Sequence, residues 1–251
     1  MTPAAALVVL AMALGAAACS TTTGGQAAMP AVSIQTLQFY PYLVKGFQNS
    51  YPKRTIVVLA PTLLRDFAQA GNADHTPYQG HPAIGVILDQ RDQIDQRLYG
   101  PSLGPLLRDA IAEAAREAGM IASTTTNPLQ TELLARRADY VLAASLTELW
   151  VVKQRGKDTE AGPSWFSAAR VSLNVAIYKP PFDVPFWQGA STAQYNDPAM
   201  PTAGAMPDDE TEIYSKPGQV LSVALSRAVA GIFQHDDLHT LLLQDAPPNR
   251  P

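Results

Sequence analysis

Apolar and polar positions along this chain fall into blocks whose period switches between two and 3.6. Thr55–Ala60, stopped by Pro61, and Ala83–Asp89 are short runs rich in β-branched and apolar residues, and each predicts a strand. The second is apolar on both faces, as a central strand of a covered sheet is. Leu63–Ala70 predicts a helical turn, and 71–81 a loop. From Ser102, a candidate N-cap, to the stop at Gly119, the residues Leu103, Leu107, Ala110, Ile111, Ala114 and Ala118 recur at helical spacing. Pro128–Arg137 predicts a shorter helix. Tyr140–Val152, Ala169–Tyr178 and Phe186–Tyr195 then predict a three-stranded meander. In its middle strand Val171, Leu173, Val175 and Ile177 alternate with Ser172, Asn174 and Ala176. Lys153–Ser164 reads as the first connection, and Lys179-Pro180-Pro181 starts the second. Asn196–Gly218 is rich in Pro, Met and acid and has no period, so it predicts a long loop. Gln219–Phe233 predicts a closing helix, and the chain from Asp245 onward reads as frayed.

The order of elements predicts an α+β fold: a mostly antiparallel sheet with helices packed on one face, in a single domain. The predicted organisation is an apolar leader over 1–18, an uncharged flexible tether over 19–38, and an α+β domain over 39–245. The long Pro- and acid-rich loop 196–218 lies within that domain, and 246–251 form a disordered tail.

One block has no period at all. Ala4–Cys19, AAALVVLAMALGAAAC, is an apolar and small-residue run ending on the only cysteine of the 251 residues. An apolar stretch followed by small residues at a cleavage point marks an export signal. It is short for a membrane span, which takes about 20 apolar residues. Ala16, Ala17 and Ala18 directly before a lone cysteine resemble the lipobox of bacterial lipoproteins, which implies that Cys19 is lipidated and anchors the mature protein. Met1-Thr2-Pro3 carries no Lys or Arg, and Ala16 stands where the lipobox more often has Leu. The polar, uncharged stretch behind Cys19 would span about 25 Å as a flexible chain, enough to hold a domain just off a membrane.

Charge and composition narrow the functional classes. The net charge of −4 falls entirely after the first 44 residues, and the acidic balance has no basic cluster. Nucleic acid and anionic headgroups are therefore disfavoured as partners. With Cys19 in the anchor, no thiol remains for a disulfide, thiol catalysis or a cysteine-zinc site. No cofactor is expected.

Candidate chemistry is sparse. His235-Asp236-Asp237-Leu238-His239 would, if helical, set His235 and His239 on one face as a two-histidine metal pair. Asp236 stands where a zincin has Glu, and His75 and His81 are the only further histidines. The plainer reading is a polar helix end. Asp89, Asp92 and Asp95 could work as acid/base groups or hold a cation; the plainer reading is that Asp89 pairs with Arg91 or caps the loop. Neither a Gly-x-Ser-x-Gly elbow nor a phosphate loop is present. Trp150, Trp165 and Trp187 read first as core or hairpin packing; if exposed at the hairpin tip, Trp165 is the best candidate partner contact. Asp208, Asp209 and Tyr214 in the long loop are the other partner-binding candidates.

Ile84–Leu88 with Asp89-Gln90-Arg91, the helix opening Leu103-Gly104-Pro105-Leu106-Leu107-Arg108-Asp109-Ala110, Ala138-Asp139-Tyr140-Val141-Leu142 running to Leu149-Trp150, and the helix after Lys216-Pro217-Gly218 together resemble the YajG-type envelope lipoproteins. The ABC-transport auxiliary lipoproteins are a looser likeness. The resemblance covers roughly 83–243 and implies an outer-membrane anchor facing the periplasm, a compact α+β domain and no known catalytic residues. Ser20 directly after the cysteine is similar to the outer-membrane sorting pattern. The expected function is a non-catalytic, membrane-anchored docking or accessory module that binds an envelope protein through the exposed sheet face or the long loop. The alternatives are an auxiliary subunit of an ABC-type transporter holding a lipid, and a metal-dependent hydrolase using His235 and His239.

Overall fold

The strand Tyr140–Thr159 (β6) is the spine on which every other strand depends, directly or at one remove. The computed structural model describes residues 51, 53–63, 82–125, 137–160, 162–196 and 217–245. All belong to the unit Ser33–Pro251. In chain order the remaining elements are β1 (Thr55–Val58), β2 (Thr62–Leu63), β3 (Ala83–Leu88), β4 (Ile94–Tyr99), α1 (Leu103–Glu117), β5 (Ile121–Thr124), β7 (Gly162–Tyr178), β8 (Pro185–Asn196), α2 (Pro217–Ile232) and α3 (Asp236–Gln244).

One edge of β6 pairs antiparallel with β7 along nearly its whole length, and β7 pairs antiparallel with β8. The other edge receives three short strands in succession, all parallel: β1 at Ile56↔Tyr140, β2 at Thr62↔Ser145 and β3 at Gly85↔Val151. β5 adds parallel to β1, and β4 antiparallel to β3. The result is one curled, mixed sheet of eight strands. This corrects the expected mostly antiparallel sheet. Parallel neighbours need crossover connections rather than hairpins, so β1 and β3 find their partner far along the chain. The two-sided apolarity of β3 was its local sign, and five of its six residues are buried.

A bulge keeps the spine's apolar face on one side. The β6–β7 register shifts between Leu146 and Glu148. Tyr140, Leu142, Ala144 and Leu146 face the core before the shift, and Leu149 and Val151 face it afterwards. The extra residue, Thr147, donates its hydroxyl to the Ser172 carbonyl at 3.1 Å. A bulge also bends the strand and raises its twist, consistent with the curl of the sheet.

α1 and α2 pack on the core side of this sheet. The predicted α1 stripe is buried at Leu103, Leu107, Ala110, Ile111 and Ala114, and the helix ends before Gly119 at φ 100°, a conformation that glycine adopts without a Cβ penalty. α2 buries Val220, Leu221, Ala224, Leu225, Ala228 and Ile232 against β7 and β8. Two small apolar clusters lie apart from this core, Val57–Ala138–Val141 and Val86–Trp150.

Other expectations change in detail. Lys153–Ser164 is not a connection: β6 and β7 continue pairing through Lys153↔Ser167 and Arg155↔Trp165 to Thr159↔Gly162. Charges and Gly156 made this segment read as a loop. A Cβ at Gly156 would come within 2.4 Å of the Ser164 hydroxyl, which would have to rotate away. β4, β5 and α3 were not foreseen. Leu63 belongs to β2 rather than to a helical turn, while 64–70 and residues 128–136 of the expected helix Pro128–Arg137 fall outside the described residues, and Arg137 stands in a turn.

Asp245 is not frayed. Its carboxylate accepts from the Tyr140 hydroxyl at 2.5 Å and from the Lys179 ammonium, and its carbonyl accepts from Arg54 Nη2 at 2.7 Å. Burial pushes this carboxyl up, but the hydrogen bonds from Lys179 and Tyr140 outweigh it and hold the group below the ordinary value. Arg54 also reaches Asp139 Oδ1 at 3.4 Å, and Asp139 Oδ2 accepts from the Thr55 amide and hydroxyl at 2.8 Å each. The end of α3 is thus latched to β1, β6 and the exit of β7.

Candidate functional site

The histidines point to packing partners rather than to each other. His235 precedes α3 in an extended conformation, φ −72° and ψ 119°. Its Nε2 lies 3.1 Å from the Ala190 carbonyl oxygen of β8, and its ring centroid lies 5.3 Å from that of Trp187. The His239 ring stands edge-on to Tyr51 at 5.2 Å. His75 and His81 fall outside the described residues, among which no group of three or more His, Cys, Asp or Glu is placed to hold a metal. Trp187 donates its indole N–H to Asp237 Oδ2 at 2.9 Å, the main reason that carboxyl sits below its ordinary value.

Asp89 caps a turn. Its Oδ1 accepts from the amides of Arg91 at 2.7 Å and Gln93 at 2.9 Å, and these bonds, Gln93 first, hold the carboxyl below its ordinary value. Asp92 sits in the same turn at φ 59° and accepts from the Gln154 amide. Trp165 lies in the β6–β7 ladder opposite Arg155, half-buried against the main core, with the Lys153 ammonium 4.8 Å over its ring. Cys19, Asp208, Asp209 and Tyr214 fall outside the described residues.

What the strands do assemble is a broad polar surface. On the side of β7 and β8 facing away from α2, Arg170, Asn174, Gln188, Thr192 and Gln194 are exposed. Glu148 is nearly buried beneath them; its Oε2 accepts from Arg170 Nε at 3.0 Å and from the Ser172 hydroxyl at 3.2 Å. Thr192 donates to Ser172 Oγ at 3.0 Å. Cross-strand polar pairs of this kind order a surface without enclosing anything.

This surface runs over the edge of β8 into a groove. Among the described residues β8 pairs only with β7. Between its free edge and the flank of α2 lies an open groove of about 410 Å³ bordered by Ser191, Thr192, Gln194, Arg227, Gly231 and Gln234. Ser191 donates to the Ala228 carbonyl at 2.6 Å, which fixes helix and strand together. Arg227 stacks over Tyr195, guanidinium carbon 4.9 Å from the ring centre, and forms no ion pair among the described residues. Sequence reasoning missed this groove. Its one local sign is that Arg227 is the only charged residue of α2.

No family model and no curated protein sequence matches the chain. Among solved structures it is similar to protein XCC0632 from Xanthomonas campestris, described under the family model DUF330, at 12% identity and a TM-score of 0.49, over 85% of this chain and 98% of that one. It is also similar to the hypothetical protein CT253 from Chlamydia trachomatis, at 10% identity and a TM-score of 0.39, over 77% and 100%. Lipoprotein GNA1162 from Neisseria meningitidis is similar at 13% identity and a TM-score of 0.29, over 64% and 92%.

Proposed function

We propose that this chain is a non-catalytic lipoprotein of the bacterial envelope, anchored through Cys19 in the outer membrane and facing the periplasm, that docks onto another envelope protein. The observation that carries the reading is the outer face of β6, β7 and β8, strands of 20, 17 and 12 residues. At its centre Glu148, Arg170, Ser172 and Thr192 are bonded to one another, with Asn174, Gln188 and Gln194 exposed beside them and the small Val141 and Trp150 clusters on the same side of β6, over a packed core. A broad, rigid polar face suits contact with a protein surface, whereas a small substrate calls for a concave, largely apolar pocket. The groove beside β8 is lined by hydroxyls, amides and a guanidinium, which suit a peptide better than an acyl chain. No helix of the described residues is long and apolar enough to cross a membrane. The YajG-type resemblance over 83–243 and Ser20 after the cysteine support the compartment.

Labelling cells with a radioactive fatty acid tests the anchor: label is expected in the wild type and absent in Cys19→Ala. Purification from detergent-solubilised envelopes tests docking. A stoichiometric partner, depleted when Asn174→Arg and Arg170→Glu roughen the outer face, is expected. Recovery of the protein alone would contradict docking.

A further inference from the structure

Among the described residues the edge of β8 is open in a way that edges of soluble sheets seldom are. Its twelve residues, PFWQGASTAQYN, include no charge and no proline after the first position. Natural edges are normally blunted by charges, prolines or bulges, and the β7–β8 register runs unbroken from Ile177↔Trp187 to Ala168↔Asn196. The direction of the free groups follows from His235. Its ring meets the Ala190 carbonyl, so that carbonyl points away from β7. In an antiparallel ladder alternate residues share this orientation. The N–H and C=O of Thr192 and Gln194 therefore point into the groove.

The far wall of that groove is one flank of α2, Arg227, Ala230 and Gly231, with Gln234 in the turn that follows. Arg227 and Gly231 are one helical turn apart, a rise of about 6 Å. Residues i and i+2 of an extended strand are about 6.7 Å apart. A strand added to β8 would thus set alternate side chains against the flank in step. One would meet the Arg227 guanidinium, which forms no ion pair among the described residues, and the next would meet Gly231 and Ala230, which present no polar side chain.

We propose that the β8 edge and the α2 flank form a strand-addition site for an extended peptide of the envelope partner, carrying a carboxylate at the position facing Arg227 and a small or apolar residue two positions away. The inference rests on the docking reading and says which chemistry the partner brings. Backbone hydrogen bonds to Thr192 and Gln194 supply affinity, and the Arg227–carboxylate pair sets register and specificity. A second copy of this chain is a poor occupant. β8 contains no acidic residue, so its edge would leave Arg227 without a partner and bring in another arginine.

The test is fluorescence anisotropy with the full-length protein in detergent and a labelled peptide of alternating Val and Thr bearing one Glu and, two positions on, one Ala. Arg227→Glu is expected to weaken binding by about 10-fold or more and to favour the same peptide with Lys for Glu. N-methylation of alternate peptide amides, which leaves the protein untouched, is expected to cost at least as much, and Thr192→Pro likewise if it melts as the wild type does. Equal binding of the Glu and Lys peptides to wild type and Arg227→Glu, or no loss on N-methylation, would overturn the site. So would a dimer in sedimentation that Thr192→Pro dissolves, which would make the occupant a second copy. An envelope partner that co-purifies undiminished with both variants would overturn the edge site while leaving docking in place.

Discussion

The two faces of β7 share one backbone and do opposite work. Val171, Leu173, Val175 and Ile177 are buried against the helices, while Arg170, Ser172, Asn174 and Ala176, one residue over, face outward. Inner residues lose transfer energy and leave a cavity when truncated, whereas outer ones lose at most a screened pair. Stability resides on the inner side, and the docking proposed above would fall to the outer one. Because a strand alternates strictly, neighbouring residues separate the two.

The largest expected effect comes from the inner face. Leu173→Ala should destabilise by about 2–5 kcal/mol, against no more than about 0.5 kcal/mol for Asn174→Ala, both read by urea unfolding. Similar losses at the two positions would break the comparison.

Next comes the joint where β3 meets β6. A Cβ at Gly85 would fall 2.1 Å from the Val151 backbone oxygen, and backbone cannot swing aside. Gly85→Ala should cost about 1–3 kcal/mol, measured as a lowered urea midpoint. A neutral result would mean that β3 is not held against β6 this closely.

The Asp245 latch is expected to be smaller and to depend on pH. A carboxylate whose folded-state pKa is depressed stabilises fully above the ordinary value of 3.8 and loses that contribution as pH falls through the folded value. Asp245→Asn should cost about 1–3 kcal/mol at neutral pH, and the gap to wild type should close below pH 3.8. Tyr140 acts at the other end. Burial, then its bond to Asp245, raises its phenol above 10.0, so stability should fall as pH rises past that value. Unfolding followed across pH checks both signs. On the outer face, Arg170→Ala should cost about 0–1 kcal/mol, since Arg170 is largely exposed even though Glu148 is not.

Legibility in the sequence followed locality. The alternation of β7 and the stripe of α1 depend on neighbours two to four residues away, so they could be read directly. The parallel set could not. β1 pairs at Tyr140 and β3 at Val151, and nothing within either short strand names its partner. β4 was hidden because Asp95, Gln96 and Arg97 sit in its exposed and half-exposed half. The outer hairpin was hidden because Lys153, Arg155 and Asp158 are solvated strand residues that look like a loop. The site was less legible still. Trp165 drew attention as an aromatic residue, and it stands half-buried in the β6–β7 ladder. Arg227 drew none, because its meaning depends on the free edge of β8, which exists only once the strand order is known.

Photo-crosslinking in living cells tests the central division of labour most directly. A photoreactive residue at Asn174 on the outer face or at Gln194 on the β8 edge should give a discrete adduct with an envelope protein. The same residue at Glu113 or Glu117, exposed on α1 across the core, should give none. Adducts from the α1 positions alone, or from no position at all, would contradict the account.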